Sequence, residues 1–92
     1  MGGLFPAEVA EEFGRKLIRS RKRGGISQEE LGFLASLHRT EIGMLERGVR
    51  LPRIDTVLKL AGALAISPCD LLAGMEWRPG EPRPGEFQAS HE

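Results

Sequence analysis

Tyrosine is absent from this chain of 92 residues, and tryptophan and cysteine occur once each. With aromatic residues at 5%, a packed interior has to come mostly from Leu, Ile, Val and Ala. The single Cys69 excludes an intramolecular disulfide, and a cysteine-based metal site would lack partner ligands. It reads as a small residue at a helix start. No stretch approaches the ~18 apolar residues of a membrane span. The N-terminus MGGLFPAE has neither the basic start nor the apolar run of a secretory leader. A reducing, cytoplasmic setting without a membrane partner is the expectation. No Ser/His/Asp or Cys/His set is spaced for catalysis, and the glycine-rich phosphate cradles are missing. A metal role for His38 is not expected, because the only other histidine, His91, lies in the tail. The sequence is therefore expected to be no enzyme and to hold no cofactor or metal.

An excess of charge is also missing, since the formal net charge is zero. The distribution is uneven, however. Ten basic residues lie between Arg15 and Arg53 against four acidic ones, an excess of six, and the remaining acids sit toward the two ends. Such segregation can build a basic surface on a neutral protein. A chain of this length makes one small domain that buries roughly 60% of its unfolded surface.

Val9, Phe13 and Leu17 recur every fourth residue, with Ala10, Gly14 and Ile18 beside them, and predict an amphipathic helix over 7–22. Its basic last turn suits the negative end of the helix dipole, and Gly24-Gly25 end it. Ser27-Gln28-Glu29-Glu30 is a capping box that opens a second helix over 28–35, with Leu31, Leu34 and Ala35 as its buried stripe. Gly32 leaves room for close approach by another helix. A turn of only three residues, Ser36-Leu37-His38, leads to a third helix over 39–46, ended by Gly48. Two helices joined so tightly must cross steeply, as in a helix-turn-helix. Ile54, Val57, Leu58, Ala61, Leu64 and Ala65 predict a fourth helix over 54–65. Ser67 as N-cap, Pro68 at the first position and Asp70 at the third predict a fifth, anchored by Leu71 and Leu72. Beyond Gly74 the composition turns to Pro and Gly. Met75-Glu76-Trp77-Arg78 and Glu86-Phe87-Gln88 are candidates for short strands, with Trp77 and Phe87 on an arm that packs on the domain or on a second subunit.

Residues 13–72 resemble the Xre/Cro family of helix-turn-helix transcription regulators, the family of the phage lambda repressor. The stretches that carry the likeness are Ile26-Ser27-Gln28-Glu29-Glu30-Leu31, Leu37-His38-Arg39-Thr40-Glu41-Ile42, Leu45-Glu46-Arg47-Gly48, Leu51-Pro52 and the run from Leu58 to Leu72. The resemblance implies an all-α, five-helix lambda repressor-like DNA-binding domain. Its helix-turn-helix lies at the second and third helices, and a Pro/Gly-rich C-terminal tail follows. The expected organisation is an N-terminal extension over 1–6, the DNA-binding domain over 7–76, and a flexible tail or short dimerisation arm over 77–92. The chain departs from the family pattern at Ser20, where a large apolar residue is common, at Ser36, where Gly is common, and at Arg53, where Ser or Thr often caps the fourth helix.

The function implied is sequence-specific binding of a double-stranded DNA operator as a transcriptional regulator of repressor type, acting as a homodimer. The alternative is a protein-interaction module of the same fold, such as an antitoxin or regulatory co-factor, with a protein partner. The third helix has a small, nearly uncharged outer face with arginines at its edges, which suits the major groove. Arg39, Thr40, Gly43 and Met44 are the candidate base contacts. Arg39 can fork onto guanine, Thr40 and Met44 can touch a thymine methyl, and Gly43 lets the backbone come near. Glu41 is less suited, because it would sit near phosphate. Arg47, Arg50 and Arg53 flank that helix as candidate phosphate contacts, with Arg15 and Lys16 as weaker ones. His38 can cap the helix, contact phosphate, or both. The resemblance further implies that Gln28 and the N-terminus of the second helix hold a phosphate, and that Arg21 and Glu46 form an ion pair fixing the angle of the third helix.

Overall fold

A computed structural model of the chain describes residues 6–80 and 84–89. Five helices run in order: α1 Pro6–Arg23, α2 Gln28–Ala35, α3 Arg39–Glu46, α4 Ile54–Leu64 and α5 Pro68–Leu72. An antiparallel pair of strands follows, β1 Met75–Arg78 and β2 Glu86–Ala89. No helix among the described residues is long and apolar enough to cross a membrane.

Side-chain chemistry sets most of the helix starts. The Glu30 N–H donates to Ser27 Oγ at 3.0 Å, and the Ser27 N–H donates to Glu30 Oε1 at 2.8 Å, so α2 begins with the expected reciprocal cap. The Thr40 N–H donates to His38 Nδ1 at 3.1 Å and opens α3. Ser67 Oγ accepts from the Cys69 N–H and the Asp70 carboxylate accepts from the Ser67 N–H, with Pro68 at the first position of α5. Arg53 precedes α4 without a side-chain cap. Two helices close through non-glycine residues in the left-handed region, Ser36 at φ 56° and Ala65 at φ 58°. Each carries the steric cost that glycine avoids. At Ser36 the conformation lets the Leu37 N–H donate back to the Gly32 carbonyl at 2.8 Å, which folds the chain tightly from α2 into α3.

One apolar core joins all five helices through Phe13, Leu17, Leu31, Ile42, Leu45, Leu60 and Leu71, every one of them fully buried. Two glycines let the helices come this close. A methyl group on Gly14 would lie 2.6 Å from the carbonyl oxygens of both Leu45 and Glu46, so α1 and α3 touch backbone to side-chain-free backbone. A methyl on Gly32 would lie 2.7 Å from the Leu37 carbonyl oxygen, inside the α2–α3 turn.

Several sequence expectations are corrected. The fold is not purely α, because Trp77 pairs with Phe87 in a two-stranded sheet within the segment expected as a Pro/Gly-rich tail. The two rings stack edge to face at 5.0 Å, so the aromatic pair ties the ribbon together. Leu34, expected in the buried stripe of α2, is 54% exposed, since the core side of that helix is Leu31, Gly32 and Ala35. In α4 the buried side is Thr56, Val57, Leu60 and Ala61, while Ile54 is 81% exposed and Leu58 also faces outward. Leu71 anchors α5, whereas Leu72 is half exposed. Helix α4 ends at Leu64, with Ala65 as its left-handed cap. The expected extension over 1–6 falls largely outside the described residues, and Pro6 already belongs to α1.

Gly14→Ala forces α1 and α3 apart, and its expected cost is about 2 kcal/mol, the scale of overpacking a tight contact. Urea unfolding monitored by circular dichroism reads this as a lower midpoint at unchanged slope. An unchanged midpoint would mean that the crossing is looser than described.

Candidate nucleic-acid interface

A buried carboxylate determines where α3 points. Glu46, at the end of α3, is only 7% exposed. Its Oε2 accepts from Arg21 Nε at 2.6 Å, and its Oε1 accepts from Arg21 Nη2 at 3.1 Å and from Gln28 Nε2 at 2.8 Å. Arg21 Nη1 also donates to the Ile26 carbonyl at 3.0 Å, pinning the loop between α1 and α2. One acid thus gathers α1, α2 and α3. The forked guanidinium makes both bonds in one plane, which fixes direction as well as distance. Hydrogen bonding to Glu46 raises the pKa of Arg21 further above its ordinary value.

The core takes Ile42 and Leu45, and Glu46 is taken by its partners, so the other side of α3 turns outward. Thr40 is exposed and Met44 is half-buried on this side, and Arg39 is exposed at its edge, in the first turn. Among the described residues Arg39 has no carboxylate within ion-pair distance, which leaves its guanidinium uncommitted. Gly43 lies on the same side but is buried. The Nη1 of Arg47 sits 3.1 Å from where its methyl group would be, so the Arg47 side chain folds back across it. The expected open floor at Gly43 is therefore roofed by an arginine that sequence reasoning placed on the flank.

The remaining candidates divide by what already holds them. His38 caps α3 through Nδ1, so Nδ1 is an acceptor and the neutral ring carries its proton on Nε2. Gln28 opens α2 with its side-chain amide turned to Glu46, a role that sequence reasoning missed. What α2 offers outward at this end is its backbone N–H groups and the positive end of its dipole. Arg50 Nη1 donates to Glu41 Oε1 at 2.9 Å, and Arg53 Nε lies 3.3 Å from Asp55 Oδ1. The pairing of Glu41 with Arg50 explains how an acid is tolerated beside the basic edge of α3, because each neutralises the other. Arg15 is bound to Glu12 at 2.7 Å, and this contact lowers the Glu12 pKa.

The fold is shared with known proteins. A family model for helix-turn-helix proteins, HTH_3, matches residues 17–71. The control protein C.BamHI of Bacillus amyloliquefaciens is 43% identical over 61 residues, covering 65% of this chain and 75% of the relative. The crystal structure of the restriction-modification controller protein C.AhdI from Aeromonas hydrophila superposes with a TM-score of 0.69 at 42% identity. That match covers 71% of this chain and 94% of the other. The P22 c2 repressor protein, crystallised with a synthetic operator, gives a TM-score of 0.61 at 32% identity, over 65% of this chain and 91% of the other.

Glu46→Ala leaves Arg21 without its buried partner, so the expected cost is about 3 kcal/mol, reduced where water reaches the guanidinium. In a double-mutant cycle with Arg21→Ala, thermal or urea unfolding should show coupling of about 1–3 kcal/mol. Strict additivity would show that the two charges do not act together.

Proposed function

The chain belongs to the HTH_3 helix-turn-helix family, and on that premise we propose that α3 enters the major groove of double-stranded DNA and reads an operator sequence. The protein is a DNA-binding transcriptional regulator. Arg39 and Thr40 are the principal base readers, with Met44 beside them. The observation that carries this reading is that the outer side of α3 presents a threonine and a methionine, with an arginine at its edge that has no carboxylate partner among the described residues, on a helix whose angle is locked by Arg21, Gln28 and Glu46. A forked donor at the first turn of a groove helix reaches guanine O6 and N7, and the threonine and methionine suit a thymine methyl. Gly43 acts through Arg47, which leaves its fold across the glycine to take phosphate as the helix seats. His38 Nε2 and the N-terminal N–H groups of α2 hold further phosphates. Arg50 and Arg53 exchange their carboxylates for the DNA backbone on binding. The target we propose is operator DNA of restriction-modification genes, by likeness to the C.AhdI controller, with repression as the mode of action.

A palindromic operator calls for a dimer, with the two recognition helices about 34 Å apart. The face for a second copy of this chain is apolar. Leu51, Ile54, Leu58 and Leu72 are exposed around a cleft of ≈ 350 Å³ that Phe13 and Val57 floor. An isologous contact buries these four side chains on both copies at once. Met75, the first residue of the ribbon, also lines this cleft, so the Trp77–Phe87 arm starts at its rim.

Two outcomes test the reading. Arg39→Ala should lose roughly 1–3 kcal/mol on the preferred site and relax the choice at one base, as read by selection from a random duplex pool. Equal weakening on every sequence would make Arg39 a phosphate contact. Leu58→Glu should sediment as a monomer and bind a palindromic site less tightly, and an unchanged dimer would move the interface elsewhere.

A further inference from the structure

The basic residues counted between Arg15 and Arg53 do not share one face. Gly14 and Arg21 turn toward α3, since one abuts its backbone and the other holds Glu46. Lys16, Arg19 and Arg23 lie roughly half a turn away around α1. A rigid duplex seated on α3 does not reach them, so binding of DNA leaves these three cations unexplained. They line a polar hollow of ≈ 290 Å³ where α1 meets α5, with Asp70, Ile66 and Ala73 on the opposite wall. Among the described residues neither Arg19 nor Arg23 has a carboxylate within ion-pair distance, and Lys16 has only Glu12, at 3.5 Å. The one acid in the hollow, Asp70, accepts from the Ser67 N–H. Ser20 also lines the recess, and its short side chain leaves the space open.

We propose that this hollow binds a small phosphorylated molecule. Its phosphate groups sit among Lys16, Arg19 and Arg23, and its organic part rests on Ile66 and Ala73. Three like charges around one recess raise the local potential, and a multiply charged anion relieves it through charge-assisted bonds to two arginine forks. The concave shape favours a compact ligand over a duplex, which presents its phosphates on a convex rod. Asp70 Oδ1 offers an acceptor to a hydroxyl or amino group of the organic part, while Oδ2 holds the Ser67 N–H. The site is separate from the DNA-reading face and stands whether or not α3 binds DNA.

The test is an amide chemical-shift titration of the full chain at low ionic strength, with inorganic pyrophosphate and then ATP as probes. Pyrophosphate should give saturable shifts over residues 16–23 and 66–73, and ATP should bind more tightly through its base and sugar. Arg19→Ala with Arg23→Ala should weaken pyrophosphate at least about tenfold, since each removes a charge-assisted bond. Ser20→Leu should do the same by filling the recess while keeping every charge. Arg39→Ala should leave pyrophosphate binding intact, and the double arginine variant should bind duplex DNA as before. Both arginines are exposed, so the double variant should keep its melting temperature. The proposal is overturned if pyrophosphate gives no saturable shift, if the shifts centre on residues 38–47, or if either variant binds it undiminished. It is equally overturned if the double arginine variant loses duplex affinity, because those cations then serve DNA. ATP binding no tighter than pyrophosphate would remove the organic part of the ligand.

Discussion

Glu46 is a carboxylate held almost out of water, and its desolvation has to be offset by hydrogen bonds of good geometry. Arg21 from α1 and Gln28 from α2 supply three of them. Because the acid sits at the end of α3, this requirement becomes a constraint on helix orientation. The arginine fork accepts only a narrow range of approach angles, and the Gly14 contact allows only one depth. The turn through Ser36 and Gly32 fixes the other end of α3 against α2. With both ends held, the outer side of the helix is presented as a rigid object. A ligand meeting it gains from ordering that folding has already done.

Much of this could be read from the residues in order. Helices α2 and α3 run over the residues expected, because capping is a local matter and Ser27, Glu30 and His38 declare themselves within three or four positions. The Arg21–Glu46 pair was legible only through resemblance, since 25 residues separate the partners. Gln28 was legible as a helix start but not as a partner of Glu46, because nothing local says which way an exposed-looking amide turns. Leu34, Ile54 and Leu58 were misplaced for a related reason. On short helices two apolar stripes fit the same spacing, and only the neighbouring helices decide which stripe is covered. Both strands were candidates in the sequence, but their pairing, Trp77 opposite Phe87, crosses a Pro/Gly-rich segment whose composition points to loop. The alternation that marks a strand is weak over four residues.

The charge balance of the chain takes on meaning only in three dimensions. Arg21 is structural, and Arg15 is neutralised by Glu12. Arg50 and Arg53 carry carboxylate partners, Glu41 and Asp55. Among the described residues Arg39 has no carboxylate partner at the start of α3, and Arg47 lies over Gly43. Lys16, Arg19 and Arg23 occupy the far side of α1. A neutral sequence thus supports a basic edge along α3, an apolar face on α4 and α5, and a second cationic recess, each on its own side of one small core.

We propose that the outer side of α3, held in place before any ligand arrives, is what a duplex meets. Hydrogen–deuterium exchange of the free protein and of its complex with duplex DNA tests this directly. Amides of α3 should already be well protected when free, and DNA should add protection chiefly at the N-terminal ends of α2 and α3. A free α3 that exchanges as fast as an unfolded segment and becomes protected only with DNA would contradict it.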